Sequence, residues 1–438
     1  MKKFKLKKLD EKNVRIWIGI VVVCSVFFVA LFLFMSRPSE LERLDADYLD
    51  VVDKKVINNN VKESYKDVYE LSDYSIYGES LNLYQKKYNG LKVDDTLGKI
   101  VVLNNLKTEE EITVTFSGGI DAGIPLGQLE EGFYEIYMYD HYTKKRLYFD
   151  DVVHSENFST LRREGKVKNI RLNADKDMFE DISMDRNYAF LTVVESIPKV
   201  KVNDVIINPG GNVYNNALNG VEVGAVSNLA SEPQEMSELA ELVKKYLEQA
   251  GLRVKIARQP DESLSYYGQA GRVSQGYESQ AKVYLNLAMI EDNDVTRPFI
   301  KASPHTSAFL ANEISYTFQK QNIEMENIVT NTALEWGVLY DEMFYDEKGK
   351  PTEHETQPGL RETGGKGTYA GTLDFAKENS KYKNNYGMES VIVYVANVQS
   401  KDSLEYYHKR QEMFAKKIAD GILSYYQIGG IESETTTA

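Results

Sequence analysis

Histidine is the side chain most often used to hold a catalytic metal, and the chain has five. They are His141, His154, His305, His354 and His408. No two have the i, i+4 spacing that places two imidazoles on one face of a helix around zinc. His305 and His354 lie in polar stretches that are typical of a solvated surface. The only cysteine, Cys24, lies in an apolar segment, so no thiol nucleophile is expected elsewhere.

Two further features have residues suited to chemistry. Glu232 stands at the start of a helical pattern, where a carboxylate either binds a ligand or simply opposes the helix macrodipole. The segment GLRETGGKGTYAG, residues 359–371, is rich in glycine. It lacks the G-x-x-x-x-G-K-[ST] spacing of a phosphate-binding loop and follows no clear apolar strand. A mobile surface loop is predicted there.

The elements that position these residues alternate between strands and helices from about residue 200 onward. Such alternation predicts an α/β layer structure with a largely parallel sheet. Strands are predicted at 205–207, 252–257, 282–290 and 391–395. Helices are predicted over 233–250, around 309–318 and around 414–423.

The preceding region has a different period. Between about 76 and 200, Ile112, Val114 and Phe116 alternate with polar residues, and FYEIYMY at 133–139 is rich in β-formers. A small antiparallel β domain, sandwich-like or barrel-like, is predicted. Its tyrosines either pack half-buried in strands or stack on sugar rings. Residues 36–75 are polar without a sustained period, which favours a stalk.

The N-terminus predicts a membrane anchor. Residues 16–35 read IWIGIVVVCSVFFVALFLFM, and roughly twenty uncharged residues are the length needed to cross a bilayer as a helix. Residues 1–15 carry seven Lys and Arg against two acids, so the N-terminus is expected to be cytoplasmic and the remainder extracytoplasmic. The apolar run is longer than that of a cleaved signal peptide. A single-pass plasma-membrane protein is therefore predicted.

The charge balance excludes one class of function. The formal net charge is -14 and the pI is about 5.1, whereas nucleic-acid binders need a basic face to displace phosphate counterions. No nucleic-acid partner is expected.

A series of landmarks follows in order between about 204 and 427. A strand ends in NPGG at 208–211, Glu232 opens a helix that ends before Gly251, and a strand ends in Ala257 and Arg258. Then come Arg272, YLNLA at 284–288, VIVYVAN at 391–397 and IADGI at 418–422. This order resembles the zinc-dependent N-acetylmuramoyl-L-alanine amidases, cell-wall hydrolases that cut between muramic acid and its stem peptide. Their corresponding motifs are D-P-G-H-G-G, a metal-binding Glu, T-R, R-x-x-x-A-N, S-I-H-A-N and V-L-V-E.

The resemblance implies that the zinc chemistry has been lost. It places the family's two ligand histidines on Gly211 and Ala288 and its catalytic glutamate on Tyr394; only Glu232 keeps a metal ligand. Zinc hydrolysis needs about three protein ligands and a general base. Glycine and alanine have no donor atom, and a tyrosine with its ordinary pKa of about 10 is a poor base at neutral pH. No metal site, cofactor or catalytic residue is expected.

Three hypotheses follow for the function. The first is a catalytically inactive amidase-like domain that binds peptidoglycan or an envelope protein. The second is an active zinc amidase whose ligands lie elsewhere, with zinc as cofactor. The third is an envelope assembly scaffold that works through the β domain and stalk. The stretch from about 340 to 388 is interpreted as an insertion near the family's groove, placed to cover it or to bind a partner.

The predicted organisation combines these parts. It comprises a cytoplasmic tail (1–15), an anchor (16–35), a stalk (36–75), a β-rich domain (76–200), an amidase-like α/β domain (201–428) and a disordered tail (429–438).

Overall fold

A computed structural model of the chain describes most of the region after residue 60. The described residues are 24–25, 61–86, 96–116, 122–155, 157–179, 182–197, 203–268, 270–292, 294–305, 308–327, 333–334, 336–363 and 388–429. Residues 1–54 and 55–438 form two separate units. Apart from the exposed helical residues Cys24 and Ser25, the predicted tail 1–15 and anchor 16–35 lie outside the described residues. Among those that are described, no helix is long and apolar enough to span a membrane.

The first part of the larger unit is built from strands. In chain order these are β1 Val68–Leu71, β2 Asp73–Tyr77, β3 Ser80–Tyr84, β4 Ile100–Asn105, β5 Glu111–Thr115, β6 Ile124–Pro125, β7 Gly132–Asp140, β8 Thr143–Phe149, β9 Val153–His154, β10 Phe158–Ser159, β11 Val167–Ala174 and β12 Asn187–Ser196. One sheet has the order β10-β11-β12-β8-β7-β4-β5, with β1 beside β8 and β9 beside β11; a second has the order β2-β3-β6. Only the β1–β8 pairing in these sheets is parallel.

The predicted antiparallel β-rich region is therefore present, but it begins earlier than the sequence indicates. Tyr69 and Leu71 of β1 are buried in its core, inside the stretch predicted as a stalk. A strand of four residues has too little alternation to be recognised, and the burial of β1 comes from its pairing with β8. Tyr134 and Tyr188 are fully buried, which confirms the packing interpretation for these two tyrosines.

The second part alternates strands and helices. Its strands are β13 Val205–Pro209, β14 Val213–Asn215, β15 Gly220–Glu222, β16 Val254–Ile256, β17 Val283–Ile290, β18 Phe299–Ala302, β19 Val338–Tyr340, β20 Met343–Tyr345, β21 Pro351–Glu355 and β22 Glu389–Asn397. Its helices are α1 Glu232–Gln249, α2 Arg272–Glu278, α3 Phe309–Lys320, α4 Pro358–Arg361, α5 Lys401–His408 and α6 Gln411–Tyr425.

A six-stranded sheet forms the centre of this part, in the order β16-β13-β17-β22-β18-β19. The neighbours from β16 to β22 run parallel, whereas β18 is antiparallel to β22 and parallel to β19. Over all described sheets together, antiparallel pairings predominate. Because parallel strands end at the same edge, the carboxyl ends of β13, β17 and β22 lie together.

The helices pack on this sheet through the apolar stripes seen in the sequence. Met236, Leu239, Val243 and Leu247 of α1 are all fully buried, at the spacing of one helix face. Helices α3 and α6 pack closely, since a Cβ added to Gly421 of α6 would lie 2.5 Å from the Cα of Ile314. The predicted helices 233–250, 309–318 and 414–423 are confirmed.

Candidate functional site

The structure brings together, at the carboxyl edge of the parallel strands, the four positions that the sequence resemblance assigns to a site. Gly211 lies just after β13, and the preceding Gly210 N–H donates to Leu287 O in β17 at 2.8 Å. Ala288 of β17 pairs with Tyr394 of β22. Glu232, the first residue of α1, reaches the same place from the helix side.

Glu232 is buried and engaged with the main chain. Its side chain accepts hydrogen bonds from the N–H of Ala225 (Oε2, 2.9 Å) and of Met289 (Oε1, 2.9 Å). Its own N–H donates to Ala225 O at 2.9 Å. Burial raises the pKa of the carboxyl, opposed by these two N–H donors and by the charges of Arg258 and Arg272. Glu232 therefore cross-links the segment before α1 to strand β17, a role beyond the helix-start carboxylate that the sequence suggests.

There is no room for a histidine at position 211. Gly211 has φ +69°, a conformation that disfavours residues with a Cβ. An added Cβ would lie 2.3 Å from Val223 O and 2.6 Å from Pro233 Cγ. Both distances are far below van der Waals contact, so the space that an imidazole needs is filled by the chain itself.

Tyr394 packs as an aromatic residue. Its ring stacks on Phe299 of β18, with centroids 4.4 Å apart and an interplanar angle of 11°. Burial raises the pKa of the phenol further, and the carboxylates of Asp341 and Glu232 add to the rise. The side chain stays neutral at physiological pH, so Tyr394 is not equipped to act as a general base.

Two buried arginines hold the turn that carries Gly211. Arg272 donates to the carbonyls of Pro209 (3.1 Å), Gly211 (2.7 Å) and Asn212 (2.6 Å). Arg258 donates to Gly210 O at 2.6 Å. Burial, followed by the charge of Arg272, lowers the pKa of Arg258 to about 10, which still leaves it charged at neutral pH. These donors fix the backbone of the turn.

The residues present do not fit zinc. The side chains of Gly211 and Ala288 have no atom that can bind a metal, and each oxygen of Glu232 already accepts one main-chain N–H group. Within the described part of the chain, no group of three His, Cys, Asp or Glu is placed to hold a metal ion.

The structure shows contacts for four of the five histidines. His141, His154 and His408 pair on the surface with Asp140, Asp175 and Glu235, at 3.2, 3.1 and 3.0 Å. The main-chain N–H of His305 donates to Ser303 Oγ. His354 lies in β21, and its side chain is outside the described residues.

The start of the glycine-rich segment is buried, which corrects the surface loop predicted there. Residues 359–363 are buried, and Gly359 O accepts from Ser390 Oγ at 2.9 Å. Helix α4 therefore covers Asn286 of β17, whose Nδ2 lies 3.5 Å from the same carbonyl. Residues 364–371 lie outside the described range.

Two sets of polar contacts near the site were not predicted from the sequence. Asn208 donates to Asn286 Oδ1 at 2.8 Å across the strands β13 and β17. Asp341, which is buried, accepts from Lys301 Nζ (3.1 Å) and from the N–H of Gln357 (2.8 Å). One sequence signal could have predicted these contacts: each polar side chain stands next to apolar strand residues. A polar side chain that is buried with its strand needs a hydrogen-bond partner.

Comparisons with known proteins give similarities only among solved structures, because no protein-family model and no curated protein sequence matches the chain. Cwp6 from Clostridium difficile is 16% identical over 51% of this chain and 29% of that chain, with a TM-score of 0.35. This chain thus spans less than a third of Cwp6. The catalytic domain of CwlV, an N-acetylmuramoyl-L-alanine amidase from Bacillus (Paenibacillus) polymyxa var. colistinus, is 18% identical over 52% of this chain and 99% of that chain, with a TM-score of 0.35.

A third similar structure is the CwlD amidase from Clostridioides difficile in complex with the GerS lipoprotein. It is 14% identical over 51% of this chain and 98% of that chain, with a TM-score of 0.33.

Proposed function

We propose that residues 201–428 form an amidase-like domain that does not hydrolyse peptidoglycan but binds it, on a protein anchored in the plasma membrane by residues 16–35. The order of landmarks from Asn208 to Ile422 supports the amidase-like assignment. The observation that supports the proposed loss of hydrolysis is the pair of hydrogen bonds that Glu232 accepts. The one retained family ligand holds two main-chain N–H groups with its two oxygens.

A fold of this kind retains a use after its chemistry is lost. Packing and catalysis depend on different residues, so a site can change while the scaffold persists. Strands β13, β17 and β22 remain buried, and their carboxyl edge remains the place where α/β sheets bind ligands. A binding domain is therefore favoured over an unused remnant.

The test is an incubation of the full chain with purified peptidoglycan, with and without added zinc. We expect no release of stem peptide, no stoichiometric zinc by metal analysis, and co-sedimentation with the insoluble polymer. An active zinc amidase serves as the positive control for the assay. Release that a chelator abolishes, together with about one zinc per chain, would restore the active-amidase hypothesis.

A second arm of the same experiment distinguishes between the two candidate ligands, peptidoglycan and an envelope protein. The full chain is presented to insoluble peptidoglycan and, in parallel, to solubilised envelope proteins. Retention on the polymer supports the proposal. Retention only by envelope proteins would favour the alternative ligand, or the scaffold hypothesis if the β-rich part carries the binding.

A further inference from the structure

Trp336 is an exposed aromatic residue in a strained backbone conformation. Its relative exposure is 58% and its φ is +53°, a left-handed conformation that is uncommon for bulky residues. It lies at the tip of a turn closed by an antiparallel bridge between Ala333 and Leu339 and by Leu334 N–H donating to Val338 O at 2.8 Å.

The turn is fixed from two sides. Ser315 Oγ of α3 donates to Trp336 O at 2.7 Å, and Ile300 N–H of β18 donates to Gly337 O at 2.8 Å. The backbone is therefore held while the indole projects outward. A side chain presented in this way loses little entropy when it binds a ligand.

Two more aromatic rings lie on the exposed face of α3. Phe309 and Tyr316 are about half exposed and belong to one stripe with Asn312 and Lys320. Seven residues of helix separate the two rings by about 10 Å, enough for each to meet a different sugar of one chain. Lys320 Nζ lies 4.1 Å from the centroid of Tyr316 and covers one face of that ring.

The turn lies at the same sheet edge as the candidate site. Ile300, which binds the turn, follows Phe299, and Phe299 stacks on Tyr394. The strand order places β19 two strands from β22, or about 10 Å at the usual strand spacing. A polymer lying along this edge passes the position of Tyr394 and then reaches Trp336.

We propose that Trp336, together with Tyr316 and Phe309 of the neighbouring helix α3, binds the sugar rings of a glycan strand; this rests on the proposed function and names the contact surface. A pyranose ring has an apolar C–H face and a polar rim. Flat aromatic rings match the face. Asn312 and Lys320 provide donors for hydroxyl and acetamido oxygens at the rim.

Co-sedimentation of the full chain with insoluble peptidoglycan tests this contact by comparing Trp336→Ala with Tyr142→Ala. Tyr142 is a matched control, because it too is an exposed aromatic residue at positive φ in a hairpin turn. We expect Trp336→Ala to weaken retention about tenfold, the effect of losing one well-packed aromatic contact. Tyr142→Ala is expected to bind like the unmodified chain, and thermal melting verifies that both variants fold.

A spectroscopic measurement makes the test independent of the alanine variant. The chain has two tryptophans, so the Trp17→Phe chain reports on Trp336 alone. Titration with N-acetylglucosamine tetrasaccharide is expected to shift its emission to shorter wavelengths as the indole becomes covered. Unchanged emission together with full retention of Trp336→Ala overturns this inference and leaves the proposed function standing. Absence of any retention of the unmodified chain overturns both.

Discussion

At the scale of single residues, the hydrogen bonds of Glu232 are the most informative feature. A carboxylate that the resemblance assigns to zinc accepts two main-chain N–H groups and is enclosed by the chain. A buried carboxylate needs either charge partners or strong donors, and these N–H groups supply them. Glu232 occupies the position that the resemblance assigns to a zinc ligand, and its partners in the structure are main-chain N–H groups.

Replacement of Glu232 by alanine is expected to destabilise the fold. The substitution leaves the N–H groups of Ala225 and Met289 buried without an acceptor, at a cost of about 1–3 kcal/mol each. Denaturant unfolding measures the free energy. Glu248→Ala on the same helix is the control, because its exposed i, i+4 pair with Lys244 contributes about 0.3–0.5 kcal/mol. Equal effects of the two substitutions would contradict the cross-link.

The same carboxyl makes stability depend on pH. Burial raises its folded-state pKa above the ordinary value of 4.5, so the folded state binds its proton more tightly than the unfolded state does. Its contribution is therefore present below pH 4.5 and is lost as pH rises through the folded pKa. Glu232→Gln removes this dependence. A slope of unfolding free energy against pH that is the same in both proteins would show that Glu232 does not titrate in this way.

At the scale of elements, the sequence predicts the long strands and helices well and the short ones poorly. Burial on one face imposes a period, which is why α1, β17 and β22 were recognisable. Strands of two to four residues, such as β1, β14 and β19, take their conformation from their neighbours. The meeting of Gly211, Ala288 and Tyr394 follows from parallel strands ending together, but the bonds of Glu232 depend on loop conformations that no pattern encodes.

The close packing of α3 and α6 predicts that a glycine-to-alanine substitution lowers stability, the opposite of its usual effect in a helix. In an exposed helix, replacing glycine by alanine stabilises by about 0.5–1 kcal/mol. Gly421→Ala is expected to destabilise instead, by about 1–3 kcal/mol, because the new Cβ meets the backbone of Ile314. Thermal unfolding measures the change, with the half-buried Lys416→Ala of α6 as control. A stabilised Gly421→Ala chain would show that the helices are not in contact there.

At the scale of the whole molecule, the β-rich part and the α/β part are joined by buried polar groups. Arg162 Nε lies 3.0 Å from Asp204 Oδ2, and both side chains are nearly inaccessible. Arg163 pairs with Glu79 at 2.6 Å and also donates to Tyr426 O at 2.7 Å. Tyr426 in turn donates to Glu389 at 2.7 Å. The two parts are therefore expected to unfold together.

Removal of one partner of the buried pair tests this coupling. Arg162→Ala removes the ion-pair partner of buried Asp204, which keeps the hydrogen bond from the N–H of Arg253 at 2.7 Å; the expected cost is about 3–5 kcal/mol. Arg297→Ala is the matched control, because its pair with Glu324 at 2.8 Å is exposed and contributes about 0–1 kcal/mol. Calorimetry is expected to show one transition for the unmodified chain. Two transitions in the unmodified chain would mean that the parts fold independently.

A lysine at the same junction gives the second pH dependence. Lys282 is 2% exposed, and its Nζ lies 3.9 Å from the ring centroid of Phe158 in the β-rich part. Burial lowers its pKa from 10.5 to about 7, although the charges of Glu79 and Asp204 oppose the shift. The unfolded state therefore binds more protons between about pH 7 and 10.5, so the unfolding free energy should rise with pH across that window.

Lys282→Met is expected to flatten this rise and to stabilise the chain at neutral pH by about 1–3 kcal/mol, since an apolar side chain of similar length carries no desolvation cost. The gain is smaller than the lowered pKa alone implies, because the contact of the ammonium with Phe158 is lost. Denaturant unfolding at several pH values from 6 to 11 measures both effects, with the exposed Lys255→Met as control. If Lys282→Met and Lys255→Met show the same slope of unfolding free energy against pH, Lys282 is not the source of the pH dependence. The charges at the junction would then be solvated.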